Sequence, residues 1–143
     1  MEPDFILEWF HYADADLSSA EHLLTKHPQP YELICYLCEQ SAEKYLKGFL
    51  VYHGVLQPPK THELNRLCGL CLEYDHRFNE IEMPCNTLTD YGVQPRYPHE
   101  MLIEEHHMKK ALEYARMIRD FIPMQTVRQE LEQALKEEVG PAE

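Results

Sequence analysis

YELICYLCEQSAEKYLKGFLVYH, residues 31–53, decides how the chain is read. It contains no proline, and Ile34, Cys38, Ser41, Tyr45, Gly48, Phe49 and Tyr52 recur at the three-four spacing of one helix face. A second row through Leu33, Leu37, Leu46 and Leu50 widens the apolar arc, so this helix is expected to be largely surrounded by protein. Glu39, Glu43, Lys44 and Lys47 occupy the remaining polar strip, with Glu43 and Lys47 as a Glu-before-Lys pair at i,i+4. Two lysines on the one polar strip of a central helix form a candidate anion-binding surface. The plainer reading is solvated charge.

Working outward, residues 4–26 carry an unbroken stripe, Ile6, Phe10, Ala13, Leu17, Ala20 and Leu24, which predicts a first helix. KHPQP at 26–30 ends it, because each proline disfavours helical geometry in the residue before it. Pro30 suits the first turn of the central helix, and Gly54 suits its C-terminal stop. After a loop stiffened by Pro58-Pro59, Thr61 is a candidate N-cap for a third helix over 62–77, with Leu64, Leu67, Cys68 and Cys71 inward. A shorter fourth helix is expected over 79–91 with Ile81, Cys85 and Leu88 inward, where Pro84 implies a late start or a kink. The segment YGVQPRYPHE reads as a rigid connection to a helix over 100–122 with Met108, Ala111, Ala115, Ile118 and Ile122 in register. Thr126 with Gln129 resembles a capping box for a last, acid-rich helix to about 139 that is expected to lie on the surface.

No stretch alternates with a two-residue period. The expected fold is therefore all-α: a four- to five-helix up-and-down antiparallel bundle over residues 4–122, followed by a C-terminal surface helix or tail over 123–143. One domain is the default for 143 residues. A net charge of -12 argues against a general nucleic-acid-binding surface while leaving room for one local basic pocket. No apolar run reaches the ~18 residues of a membrane span, and the N-terminus lacks the basic region of a secretory signal. Five cysteines without an export signal are expected to be reduced thiols in a cytoplasmic protein.

Four motifs then fall in order: W-(x)3-A-x-x-D-L-x-x-A at Trp9–Ala20, C-x-Q-S-A-E-K-x-L-K at Cys38–Lys47, P-x-T-H-x-L at Pro59–Leu64, and R-Y-P at Arg96–Pro98. Together they resemble the HEPN family over about residues 5–122. The resemblance implies a helical bundle similar to the C-terminal domain of kanamycin nucleotidyltransferase. It also implies homodimerisation, a small nucleotidyltransferase as partner in a toxin–antitoxin-like system, and a nucleotide as ligand. A subset of that family are metal-independent ribonuclease toxins with an Arg and a His separated by four to six residues.

Arg96 does not match that subset. His99 follows it with two residues between, and His106 and His107 follow with nine and ten. Ribonuclease chemistry needs an acid or base and a phosphate-binding cation held together. Catalytic assignment therefore stays open, with Arg96, His99 and His107 as candidates and RNA as substrate only in the ribonuclease reading. The ligand-binding candidates are Lys44, Lys47, His62, Arg96 and Tyr97. Arginine's planar fork suits a nucleotide phosphate, and His62 opens a helix whose N–H groups favour an anion. Structural alternatives are an Arg96 ion pair, a loop hydrogen bond from His62, and a dimerisation subunit with no ligand. Cys35-x-x-Cys38 and Cys68-x-x-Cys71 have the form of two zinc half-sites, but 29 residues separate them and both pairs fall within helices. Glu104, Glu105, His106 and His107 read as a solvated face. No metal and no cofactor is expected.

Overall fold

The computed structural model describes residues 3–92, 102–122 and 124–139. Six helices are present among them and no strand: α1 (Pro3–His22), α2 (Tyr31–Tyr52), α3 (Leu64–Leu72), α4 (Glu82–Thr89), α5 (Glu105–Phe121) and α6 (Met124–Val139). Short 3-10 turns at Leu23–Thr25 and His76–Ile81 follow α1 and precede α4. The all-helical class is as the periodicity requires.

The central helix is α2, which packs against α1, α3, α4 and α5. It runs antiparallel to α1: Ser41 bonds Ala13, Lys44 bonds Asp16 and Tyr45 bonds Asp14, while Gly48 abuts Phe10. Its end is a Schellman cap. Gly54 adopts φ 93°, its N–H donates to Val51 O at 3.0 Å, and Val55 N–H donates to Leu50 O at 3.0 Å. The stripe Ile6, Phe10, Ala13, Leu17 and Ala20 is fully or almost fully buried, as are the inward positions expected on α3, α4 and α5, whereas the stripe's expected last member, Leu24, lies beyond the end of α1 at His22, in the 3-10 turn, and is half-buried.

Several boundaries differ from the sequence reading. Helix α3 is short, ending at Leu72 rather than near 77, because Glu73, Tyr74 and Asp75 close a turn and Asp75 then caps the 3-10 segment through Arg77 N–H. Thr61 is not its N-cap. The cap position is Glu63, and Thr61 Oγ1 accepts from Glu63 N–H in the preceding turn. Pro84 marks a late start, since α4 begins at Glu82 and places the proline in its first turn, where its missing N–H costs nothing. Helix α5 begins at Glu105, and α6 begins at Met124, so Thr126 lies inside it rather than capping it. Helix α6 packs on α1, Leu131 is buried, and Glu130 accepts from the Tyr52 hydroxyl.

The seam between α1 and α2 is tight at one point. A Cβ at Gly48 would stand 2.6 Å from Phe10 Cε1 and 3.1 Å from Trp9 Cβ. Phe10 is fully buried and has no room to retreat. Gly48→Ala is therefore expected to lower stability by about 1–3 kcal/mol despite alanine's better helix propensity. A urea midpoint equal to or above that of the wild type would contradict this.

Candidate functional site

The polar strip of α2 is not solvated. Glu39, Glu43 and Lys47 are 0%, 7% and 9% exposed, because neighbouring elements cover the helix over most of Cys38–Val51, including the side that carries these three charges. Burying charge is tolerable only with partners. Glu43 has two: Lys47 Nζ donates to Oε2 at 3.2 Å, and His62 Nδ1 donates to Oε1 at 2.8 Å. An ionised carboxylate only accepts, so in the neutral ring Nε2 is the nitrogen with the lone pair. The His62 side chain is 58% exposed, so the dyad joins a buried carboxylate to an accessible imidazole.

His62 is held in place by its neighbours. Thr61 N–H donates to Pro59 O at 2.9 Å, which folds the loop. Leu64 N–H donates to Thr89 Oγ1 at 3.0 Å, and that hydroxyl donates to Cys85 O at 2.8 Å, so the start of α3 is tied to α4. Gly92 closes the site. A Cβ there would stand 3.0 Å from His62 Cβ, 3.2 Å from Glu39 Cδ and 3.3 Å from Glu39 Oε1. The bare backbone at 92 is what permits this approach.

Glu39, one turn before Glu43, is the third member. Its Oε2 accepts from Gln40 Nε2 at 2.9 Å, while Oε1 is buried with no hydrogen-bond partner among the described residues. Burial pushes its pKa up to about 8, and the neighbouring Glu43 adds to the rise against the opposing pull of Gln40, Lys44 and Lys47. Glu39 therefore carries a proton at neutral pH. Ligand atoms of Glu39, Glu43 and His62 all lie within 4.8 Å of one another.

The candidates named from the sequence divide. Lys47 and His62 meet on Glu43. Lys44 does not join them. It turns toward α1 and pairs with Asp16, since positions 44 and 47 point about 60° apart around a helix. His107 sits in the first turn of α5, where its Nδ1 accepts from Glu104 N–H at 3.0 Å, a capping role. Arg96, Tyr97 and His99 lie outside the described residues. The cysteines of both C-x-x-C pairs are buried in α2 and α3 without disulfides. The Cys71 and Cys68 thiols donate to the carbonyls of Leu46 and Phe78 at 3.6 and 3.4 Å. Cys85 supplies a hydrogen bond to Cys68 that lowers the Cys68 pKa. Glu39, Glu43 and Gly92 were not among the site residues named from the sequence, although both glutamates were placed on the polar strip of this helix. The i,i+4 spacing of Glu39 and Glu43 was the available signal, but burial of the pair was not.

The chain is thus an all-helical bundle that holds a buried carboxylate pair, a lysine and a histidine where α2 meets the α3 loop. The sequence matches the HEPN domain family over residues 6–127, and the chain belongs to that family. Among solved structures it is similar to ST0689, an archaeal HEPN homologue, at 24% identity and a TM-score of 0.64. That similarity covers 84% of this chain and 96% of that one, and it supports the shared fold. No curated protein matches the chain.

Because Glu39 is neutral when folded and ionised when unfolded between pH ~4.5 and ~8, the unfolded state binds fewer protons in that window. Stability should fall with rising pH there by roughly 1 kcal/mol per unit and level off above it. Glu39→Gln should remove this component. Urea midpoints measured from pH 5 to 9 would show the variant's slope flattened relative to wild type, and parallel slopes would disprove the assignment.

Proposed function

We propose that this chain is a nucleotide-binding HEPN interaction module, in which Lys47, His62, Arg96 and Tyr97 receive the ligand, Lys44 contributes charge from the α1 side, and the protein works as a dimer beside a nucleotidyltransferase in a toxin–antitoxin-like, cytoplasmic setting. The observation that carries the reading is the convergence of two separate motifs. Lys47 of C-x-Q-S-A-E-K-x-L-K and His62 of P-x-T-H-x-L share Glu43, and Gly92, packed on both Glu39 and His62, starts the connection that bears Arg96-Tyr97-Pro98. Arg96 stands four positions after Gly92, a reach of at most roughly 14 Å of extended chain. Phosphate recognition needs cations and N–H donors brought together in this way. A metal-independent ribonuclease toxin remains the enzymatic alternative, and a purely structural dimerisation subunit the non-binding one. No described helix is long and apolar enough to cross a membrane.

ATP, GTP and their monophosphates titrated calorimetrically into wild type should show one site per chain. Lys47→Ala and Arg96→Ala should each weaken it by about 1.5–3 kcal/mol, the worth of a hydrogen bond to a charged group. No heat with any nucleotide would remove the ligand and leave only the fold. Cleavage of total RNA, with growth arrest on expression relieved by Arg96→Ala, would favour the ribonuclease instead.

A further inference from the structure

We propose that Glu39, Glu43 and His62 form a binding site for one divalent transition cation of the zinc or manganese type, with a further coordination position open to solvent. Three observations point to it. Ligand atoms of these residues lie within 4.8 Å of one another. Glu39 Oε1 is fully buried, lies 3.3 Å from where a Cβ at Gly92 would stand, with His62 Cβ 3.0 Å from the same point, and has no partner among the described residues, an unusual state for a carboxyl oxygen. The donors are also mounted suitably: the two carboxylates sit at i,i+4 on one face of the central helix, and the histidine sits at the accessible side of the cluster, on the loop before α3.

The rearrangement needed is small. Metal–ligand bonds of about 2.1 Å in tetrahedral geometry separate ligand atoms by roughly 3.4 Å. His62 Nδ1 and Glu43 Oε1 now stand 2.8 Å apart with a proton between them. The cation takes that proton's place. The ring's one proton shifts from Nδ1 to Nε2, so that Nδ1 offers its lone pair, and Glu39 gives up its proton to solvent as its carboxylate closes in as the third ligand. Glu43 Oε2 accepts from Lys47 Nζ at 3.2 Å, so the ammonium competes with an entering cation for this carboxylate. An imidazole in the set, with only three protein donors, selects against calcium and magnesium, which favour larger all-oxygen shells. Gly92 lies directly over Glu39 and His62, so a side chain there would obstruct the closure. The site is distinct from the cysteine pairs, whose thiols face the core from other positions.

The test uses the full chain, stripped of metal and kept reduced, titrated calorimetrically with zinc chloride and separately with manganese chloride, with no nucleotide present. Manganese discriminates against thiolate ligands and so reports on the oxygen–imidazole site. One equivalent should bind. Glu39→Gln, which keeps shape and removes charge, should weaken binding by at least ~10-fold, and His62→Ala by at least as much. Lys47→Met should tighten it, because the ammonium no longer competes for Glu43, whereas the same change should weaken a nucleotide phosphate. Far-UV circular dichroism checks that each variant is folded, and if His62→Ala is not, Glu39→Gln decides alone. Absence of one-equivalent binding, or binding unchanged in Glu39→Gln, overturns the site and assigns any bound ion to the cysteines or to His106 and His107. Since nucleotide is absent throughout, the outcome is independent of the nucleotide titration.

Discussion

A single buried carboxylate, that of Glu43, is the constraint on which this bundle turns. Taking an ionised carboxylate out of water costs several kcal/mol unless donors replace the lost hydration. Glu43 finds one donor on its own helix, Lys47, and one across the bundle, His62. The first fixes the side chain relative to α2. The second obliges the Pro59–Glu63 loop to lie against α2, which sets where α3 begins. Removing either donor leaves the buried carboxylate with one partner where it had two, which destabilises the fold. The position of the α3 loop is therefore dictated electrostatically as much as by apolar packing.

The charges of α2 thus divide between two faces. Toward α1, Ser41, Lys44 and Tyr45 make polar contacts with Ala13, Asp16 and Asp14, and Gly48 lets the two backbones approach closely. This is a structural seam in which polar groups satisfy one another and define the antiparallel pairing. Toward the α3 loop, Glu39, Glu43 and Lys47 gather with His62 under Gly92, and here one oxygen is left over. Polar groups that pair completely hold a fold together. A buried group with spare valence in reach of an exposed histidine is the kind of arrangement that binds something.

Fold and site carry different weights in the functional reading. Membership of the HEPN family accounts for the helical architecture and for the order of the motifs, whereas chemistry resides in the particular side chains mounted on it. In this chain the lysine of the site is already matched by a carboxylate, and a second, protonated carboxylate lies beside it. A phosphate entering there would compete with Glu43 for Lys47. A cation bound between Glu39 and Glu43 would relieve that competition by neutralising the carboxylate and releasing the lysine. The nucleotide and metal readings are thus compatible, though they rest on different observations.

Much of the fold was legible in the sequence because helix formation is read from local periodicity. The stripes of α1 and α5, the span of α2 and the glycine stop at Gly54 all follow from spacing and backbone preference within a few residues. The extent of α3 was not legible, because Asp75 caps the following 3-10 turn and ends the helical register early. Neither was the starting point of α6 at Met124, where the Thr126–Gln129 pattern suggested a cap two residues later. At the site, the sequence by itself determined which residues could matter: Lys47 and His62 were chosen from their motifs. Tertiary structure decided that Glu39, Glu43 and Lys47 are buried, that Lys44 belongs to α1, and that Gly92 covers the cluster. The reason is physical: periodicity distributes side chains around one helix, but whether a given face meets water or protein depends on elements tens of residues away.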